Sequence, residues 1–216
     1  MSETTSFDFN AFIKESKETL VNPKAYFSTM KTSGGMVEPL IKALIYGLIA
    51  GVIGFLWGVI GLGGLKMGIF GGALGAMALV WTVVSALIGL FIGAVIVLII
   101  SSICKGNTDF EANLRVVAAV MVIMPISALL GFTIGINSVL GSIVTLCVNV
   151  YALYLLYVAL TEALKANPAT TRIVMYVLAA ILAVIVLTGL GASRRVNKYM
   201  NEFDKGDLKE MMKDTE

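Results

Sequence analysis

The chain has 216 residues, of which 58% are hydrophobic and only 14% are Asp, Glu, Lys or Arg, and its formal net charge is +2. A soluble fold of this size needs a charged exterior, so the composition excludes an ordinary soluble domain and indicates an integral membrane protein. The small net charge and the position of the lysines near the ends of apolar segments give no indication of nucleic-acid binding.

A charged amphipathic arm comes first, at residues 1–35. The apolar residues of its first predicted helix share one face and the charged residues share another: Phe9, Phe12, Ile13 and Leu20 against Lys14, Glu15, Lys17 and Glu18. This pattern suits a helix in the membrane interface, and it equally suits a surface helix docked on the ends of a bundle. Asn22 and Pro23 then start a second short helix, which ends at Gly34 and Gly35.

Five apolar segments follow, each long enough for a helix that crosses a hydrocarbon core of about 30 Å. They cover about residues 40–60, 76–103, 114–136, 139–161 and 173–190. Polar and apolar residues do not alternate in them as in the strands of a β-barrel, so the predicted fold is all-α. We therefore expect a polytopic bundle of five transmembrane helices at 36–192, followed by an amphipathic, charged tail at 193–216.

Local signals mark the start of two of these helices. Thr108 and Glu111 have the spacing of a capping box ahead of the third segment. Asn167 followed by Pro168 is typical of the start of a helix and precedes the fifth segment. The turn between the third and fourth segments is very short, which predicts that these two helices are antiparallel neighbours.

Lysine and arginine residues of the arm and of the second and fourth loops predict that the amino terminus is cytoplasmic. The basic tail does not fit this pattern, because an odd number of spans sends it to the other side. A sixth crossing between Gly61 and Val80 would return the tail to the cytoplasm. It would also move the basic second and fourth loops outside, so five spans are the better prediction.

Glycine is concentrated in one part of the chain, with eleven of 22 glycines between Gly47 and Gly75. Spacings of three and four residues align several of them on one helix face, where another backbone can approach closely. We interpret them as packing positions, either within one bundle or between copies. Alternatively, a re-entrant segment around Lys66 lines a polar path. The candidate packing or pore residues are Gly47, Gly51, Gly54, Gly58, Gly64, Gly68, Gly72 and Lys66.

Charged residues of the apolar region fall at one depth, near the predicted cytoplasmic ends of the spans. Lysines such as Lys42 are expected to extend toward lipid headgroups. For Glu38, Arg115 and Glu162 we predict an interhelical charge cluster, because partly buried unlike charges that pair avoid a desolvation cost. Within the spans, Pro125 is expected to kink the third helix, and Asn149 is expected to hydrogen-bond either across helices or back onto its own backbone.

Catalytic signatures are missing from the sequence. It has no histidine, and no Asp or Glu lies deep in a predicted span, so the arrangements that membrane proteases use are excluded. Cys104 and Cys147 are interpreted as small apolar residues rather than metal ligands. We therefore expect a protein that is not an enzyme and that carries no cofactor or metal.

Several short motifs occur in a characteristic order. Asn22–Phe27 reads NPKAYF, and a Gly-Gly break and then Glu38-Pro39 precede a glycine-rich first span. The segment Leu114–Val117 opens the span that contains Pro125, and a tyrosine-rich fourth span ends at Glu162. Over about residues 22–190 the chain resembles the Yip domain family, the Ypt/Rab-interacting membrane proteins and their prokaryotic relatives.

This resemblance implies a five-helix membrane domain with a cytosolic amino terminus. Eukaryotic members of the family act in vesicle trafficking and bind prenylated Rab GTPases. They carry a long cytosolic arm with an Asp-Leu-Tyr-Gly-Pro segment, and this chain has neither feature, so direct Rab binding is not expected. The short arm is similar to that of a prokaryotic member, which implies the prokaryotic inner membrane as the location, or the Golgi or ER membrane if the source is eukaryotic.

Two classes of function remain open from the sequence. In the first, a non-enzymatic scaffold for membrane organisation or trafficking forms homo-oligomers through its glycine faces and contacts lipid with its amphipathic flanks, with an unknown membrane protein as a further partner. In the second, residues 61–75 form the glycine-rich path of a small channel or carrier. Solute flux into liposomes distinguishes the two classes.

Overall fold

A computed structural model of the protein describes residues 8–62, 71–186 and 188. These residues are helical apart from short connections and contain no strand. The helices, in chain order, are α1 (Phe9–Val21), α2 (Pro23–Thr29), α3 (Val37–Ile60), α4 (Gly71–Ile103), α5 (Phe110–Val120), α6 (Ile123–Leu130), α7 (Phe132–Ile136), α8 (Ser138–Val158) and α9 (Pro168–Val186). A single π-helical turn, Ala159–Ala163, extends α8.

Five helical segments in the described part of the chain are long and apolar enough to cross a membrane. They are Val37–Ile60, Leu79–Ile103, Phe110–Ile136, Ser138–Ala163 and Pro168–Val186. Their outer surfaces carry many exposed Ile, Leu and Val side chains, as expected of helices whose solvent is lipid. The all-α prediction with five spans is therefore confirmed.

Helices α3 and α4 form a closely packed antiparallel pair. A Cβ atom built on Gly47 would lie 2.7 Å from the Cβ of Ala86, and one built on Gly51 would lie 3.3 Å from Cγ of Leu79. Two glycines of α3 thus meet α4 at distances that no larger residue could occupy without a shift. The contact runs from residue 47 against 86 to residue 51 against 79, which defines the antiparallel direction.

The third span is interrupted, so that α5, α6 and α7 together make one crossing. The first interruption lies at Met121 and Val122, and Pro125 follows it. Proline has no N–H to offer to the carbonyl four residues earlier, which here belongs to Met121, and its ring clashes with that carbonyl. Trp57 of α3 supports the segment beyond this break, since its Nε1–H donates to the carbonyls of Ala128 and Leu129 at 3.1 and 3.2 Å.

Two loops at one end of the bundle are linked to each other. The loop after α4 and the loop after α8 exchange backbone hydrogen bonds, from Asn107 N to Leu164 O at 2.7 Å and from Asn167 N to Cys104 O at 2.8 Å. Each loop contains a lysine with positive φ, 58° at Lys105 and 55° at Lys165. The two loops therefore lie on the same side of the membrane-spanning helices.

Two helix caps were predicted from the sequence, one at the start of α9 and one at the start of α5. The structure confirms the first and contradicts the second. Asn167 caps α9, because its Oδ1 accepts from Ala169 N at 2.9 Å. The predicted capping box at Thr108 is wrong: Asp109 is the N-cap of α5, and its carboxylate accepts from Ala112 N at 2.9 Å. Asp109 caps the helix in place of Thr108 because a carboxylate is a strong hydrogen-bond acceptor beside the positive end of the helix dipole. Glu111 is thereby left free for a tertiary contact.

The amino-terminal helices α1 and α2 pack against the membrane-spanning helices of their own unit. Chain contacts divide the protein into residues 1–178 and 179–216. In the first unit, Phe12 of α1 joins a cluster with Tyr46, Val122 and Leu155. Phe27 of α2 is fully buried in a larger cluster with residues of α4, α5 and the π-helical turn. In the second unit, the described residues 179–186 and 188 are helical.

Candidate functional site: an ionic network beside a cavity

Lys42 lies at the centre of the polar end of the bundle, which we define as the end where α3 begins, α4 ends and α5 begins. Its Nζ is 2.6 Å from a carboxylate oxygen of Glu15 on α1 and 2.7 Å from one of Glu38, one turn earlier on α3. Only 8% of Lys42 is exposed. The expectation that this lysine extends to lipid headgroups is therefore wrong, because the docked helix α1 covers it and supplies a carboxylate.

Arg115 continues the network from α3 to α5. Its Nη1 donates to the second carboxylate oxygen of Glu38 at 2.9 Å, and its Nε donates to Glu111 at 3.0 Å. The residue is 6% exposed, so its charge would be costly without these partners. Glu15, Lys42, Glu38, Arg115 and Glu111 thus form one chain of alternating charges, which we call the ionic network.

The Gly34-Gly35 segment is the fourth element held by the network. Gly35 N donates to Glu111 at 2.6 Å, and Gly35 O accepts from Arg115 Nη2 at 2.8 Å. Both glycines have positive φ, 132° and 94°, and a Cβ on Gly34 would lie 3.0 Å from Arg115 Nη2. Glycine is needed here because the backbone adopts a conformation that side chains disfavour and approaches a guanidinium closely.

Three tyrosines complete the polar end. The hydroxyl of Tyr46 on α3 shares a 2.7 Å hydrogen bond with Ser16 of α1. Tyr26 of α2 is buried, and this burial raises the pKa of its phenol to about 12 although the nearby Lys42 acts in the opposite direction. Tyr26 therefore stays neutral at physiological pH. The hydroxyl of Tyr151 on α8 also donates to the carbonyl of Leu20, the last but one residue of α1.

A cavity of about 570 Å³ adjoins the ionic network. It lies among α1, α2, the segment before α3, and the first turns of α3 and α5. Polar and apolar residues share its lining, including Phe12, Tyr26, Val37, Lys42 and Arg115. Among the described residues no group of three side chains suited to hold a metal ion occurs. The arrangement can bind a ligand through charge and shape.

The structure brings together two of the three residues of the predicted charge cluster. Glu38 and Arg115 are in direct contact, whereas Glu162 is not part of the ionic network. Glu162 lies in the π-helical turn and its nearest cation is Lys24 of α2, at 3.9 Å. Lys24 is largely exposed, so this pair is expected to contribute little.

The predicted glycine positions fall into separate groups. Gly47 and Gly51 face α4, whereas a Cβ on Gly54 or Gly58 would meet no atom of the described residues within 4 Å. Gly72 lies in the first turn of α4. Gly64, Lys66 and Gly68 lie outside the described residues, as does the amphipathic tail. Asn149 donates its Nδ2 to the carbonyl of Thr145 on its own helix at 2.9 Å, and Pro125 lies just after the interruption of the third span.

Glu15 and Glu111 are members of the site that the sequence analysis did not single out. Glu15 looks like one of several charged residues on the outer face of an amphipathic helix. Glu111 looks like the partner of a helix cap. The sequence does contain a signal for their roles. Lys42 and Arg115 lie on apolar helices, and two such cations need more carboxylate partners than Glu38 alone provides.

The fold and the site together define a polytopic helical membrane protein with an ionic network at one end of its bundle. The sequence matches the model of the Yip1 domain over residues 17–190. The chain therefore belongs to the Yip family of integral membrane proteins. No curated protein and no solved structure matches it in the corresponding comparisons.

Proposed function

We propose that this protein is a non-enzymatic organiser of its membrane, a scaffold of the kind used in trafficking that acts as a homo-oligomer. The observation that carries the proposal is the open glycine face of α3. Gly54 and Gly58 are four residues apart, and among the described residues no atom lies within 4 Å of a Cβ built on either. Small residues at this spacing let two helices approach closely in lipid, where packing rather than the hydrophobic effect drives association.

The amphipathic helix α1 supports the lipid-facing part of the proposal. Its Phe12 side is docked on the bundle, yet Phe9 is 58% exposed and Ile13 is 51% exposed on the adjacent face. Apolar side chains on a helix outside the spans are suited to insert at the boundary between headgroups and acyl chains. The amino terminus would then lie at the cytoplasmic surface, as the basic residues of the arm and loops suggest.

Mass measurement in nanodiscs tests the oligomeric scaffold. We expect the full-length chain to give assemblies of two or more copies, and the double substitution Gly54→Leu with Gly58→Leu to give single copies with unchanged helix content. Leucine side chains separate the two backbones and remove the close contact on which such interfaces depend.

The matched control is Gly89→Leu on α4, because a Cβ on Gly89 also meets no atom within 4 Å in the described part of the chain, but Gly89 lies on another helix. It should leave the assembly intact. A single copy for the unmodified chain, or an assembly that survives both leucines of α3, would overturn the proposal.

A further inference from the structure

The cavity beside the ionic network has the features of a ligand site, beyond its role in connecting the helices. It is bounded by five parts of the chain and lined by two cations that are more than nine-tenths buried, Lys42 and Arg115. In this volume of about 570 Å³ the two buried cations are screened by water less than the exposed charges that also line it, Asp8, Glu18 and Lys31.

The buried cations retain hydrogen-bond donors beyond those used in the ionic network. An ammonium group has three N–H donors, and Lys42 directs two of them to Glu15 and Glu38. A guanidinium has five, and Arg115 uses three, for Glu38, Glu111 and Gly35 O. Within the described part of the chain one donor of Lys42 and two of Arg115 have no acceptor.

The balance of charge excludes a simple anion as that acceptor. Four carboxylates and three cations line the cavity: Asp8, Glu15, Glu18 and Glu38, with Lys31, Lys42 and Arg115. A phosphate alone would meet more negative than positive charge, and a cation alone would leave the remaining N–H donors unmatched. A group that carries both charges satisfies both sets of side chains.

An apolar path leads from the cavity along α3. Val37 and Ile41 line the cavity, and Leu44 and Leu48 continue the same helix face at spacings of three and four residues. Leu44 and Leu48 are exposed on a membrane-spanning helix, so this face contacts acyl chains. A molecule seated in the cavity can therefore extend hydrocarbon directly into the bilayer.

We propose that the cavity binds a phospholipid with a zwitterionic, primary-amine headgroup. The phosphate accepts from the remaining N–H donors of Lys42 and Arg115, the ammonium donates to the carboxylates of α1, and the acyl chains follow the face of α3 from Val37 to Leu48. This site is distinct from the glycine face of Gly54 and Gly58, and it does not depend on the oligomeric state.

Native mass spectrometry of the full-length chain in detergent tests the proposal with three phospholipids of identical acyl chains. The headgroups are phosphoethanolamine, phosphocholine and phosphoglycerol. We expect the ethanolamine lipid to bind about tenfold more tightly than the choline lipid, because a trimethylammonium cannot donate a charge-assisted hydrogen bond. The anionic glycerol lipid should bind more weakly still. Equal binding of all three, or preference for the anionic lipid, would overturn the proposal.

Two further experiments locate the binding site and identify its ligand. Ala11→Phe places a ring in the cavity without removing a member of the ionic network, and Ala25→Phe is the matched control on an exposed position of α2 outside the lining. The first should abolish the preference for ethanolamine and the second should preserve it. The same preference in both variants, or binding of soluble phosphoethanolamine as tight as that of the lipid, would contradict the assignment.

Discussion

The two halves of α3 lie in different surroundings although both are apolar and rich in small residues. In the first half, Lys42 and Tyr46 bond to α1, and Gly47 is pressed against α4. In the second half, no atom of the described residues lies within 4 Å of a Cβ built on Gly54 or Gly58. The same spacing of glycines therefore serves internal packing at one end of the helix, whereas at the other end it meets no described neighbour. Glycine spacing alone does not distinguish the two uses.

Removing the arginine of the ionic network should have the largest effect on the first half. Arg115→Ala leaves Glu38 and Glu111 without a shared cation, and we expect it to lower the free energy of unfolding by about 3 kcal/mol. This loss is at the low end of the range for breaking a buried ion pair because the Glu38 side chain is 41% exposed. Denaturation in detergent measures it. Arg172→Ala, at an exposed position, is the control, and an equal loss in both variants would argue against the network.

Leucine substitutions at Gly47 and Gly54 compare the two halves of α3 directly. Gly47→Leu forces a side chain into a space where even a Cβ would lie 2.7 Å from Ala86, and we expect a loss of about 2 kcal/mol. Gly54→Leu should change the stability of the single copy by no more than about 0.5 kcal/mol. Thermal unfolding of both variants in detergent tests this. Similar losses at the two positions would mean that Gly54 is also an internal packing position.

The contact between α1 and the first half of α3 should have a smaller effect on stability than the loss of Arg115 or the substitution of Gly47. Tyr46→Phe removes the hydrogen bond to Ser16, and we expect a loss of about 1 kcal/mol. Ser16→Ala should cost a similar amount, and the double variant little more than either alone. Tyr154→Phe, at an exposed tyrosine of α8, is the control. Fully additive losses would show that the two hydroxyls do not act together.

Hydrophobicity and local capping made the membrane bundle predictable from the sequence. Each span is a long apolar run, and Asn167 with Pro168 is a start signal that depends only on neighbouring residues. The ionic network was predictable only in part. Glu38 and Arg115 stand out as charges on apolar helices, but the position of Glu15 depends on how α1 docks, and helical periodicity does not specify which side of an amphipathic helix meets protein and which meets lipid.

Two further differences between the prediction and the structure arise where similar residues could take the same role. Thr108 and Asp109 are both good caps, and the choice of Asp109 releases Glu111 to bind Arg115 and Gly35. Glu162 has the right charge and depth for Arg115, but it lies at the π-helical turn across from Lys24. In both cases the outcome depends on distances between elements far apart in the chain.

The paired loops at Lys105 and Lys165 have a consequence for biogenesis. Their two backbone hydrogen bonds can form only when an even number of crossings separates the loops, here the third and fourth spans. A chain in which one of these helices failed to insert would hold the two segments on opposite sides of the bilayer, with the amides of Asn107 and Asn167 lacking their partners. The pairing is therefore incompatible with a topology in which only one of these two helices crosses the membrane.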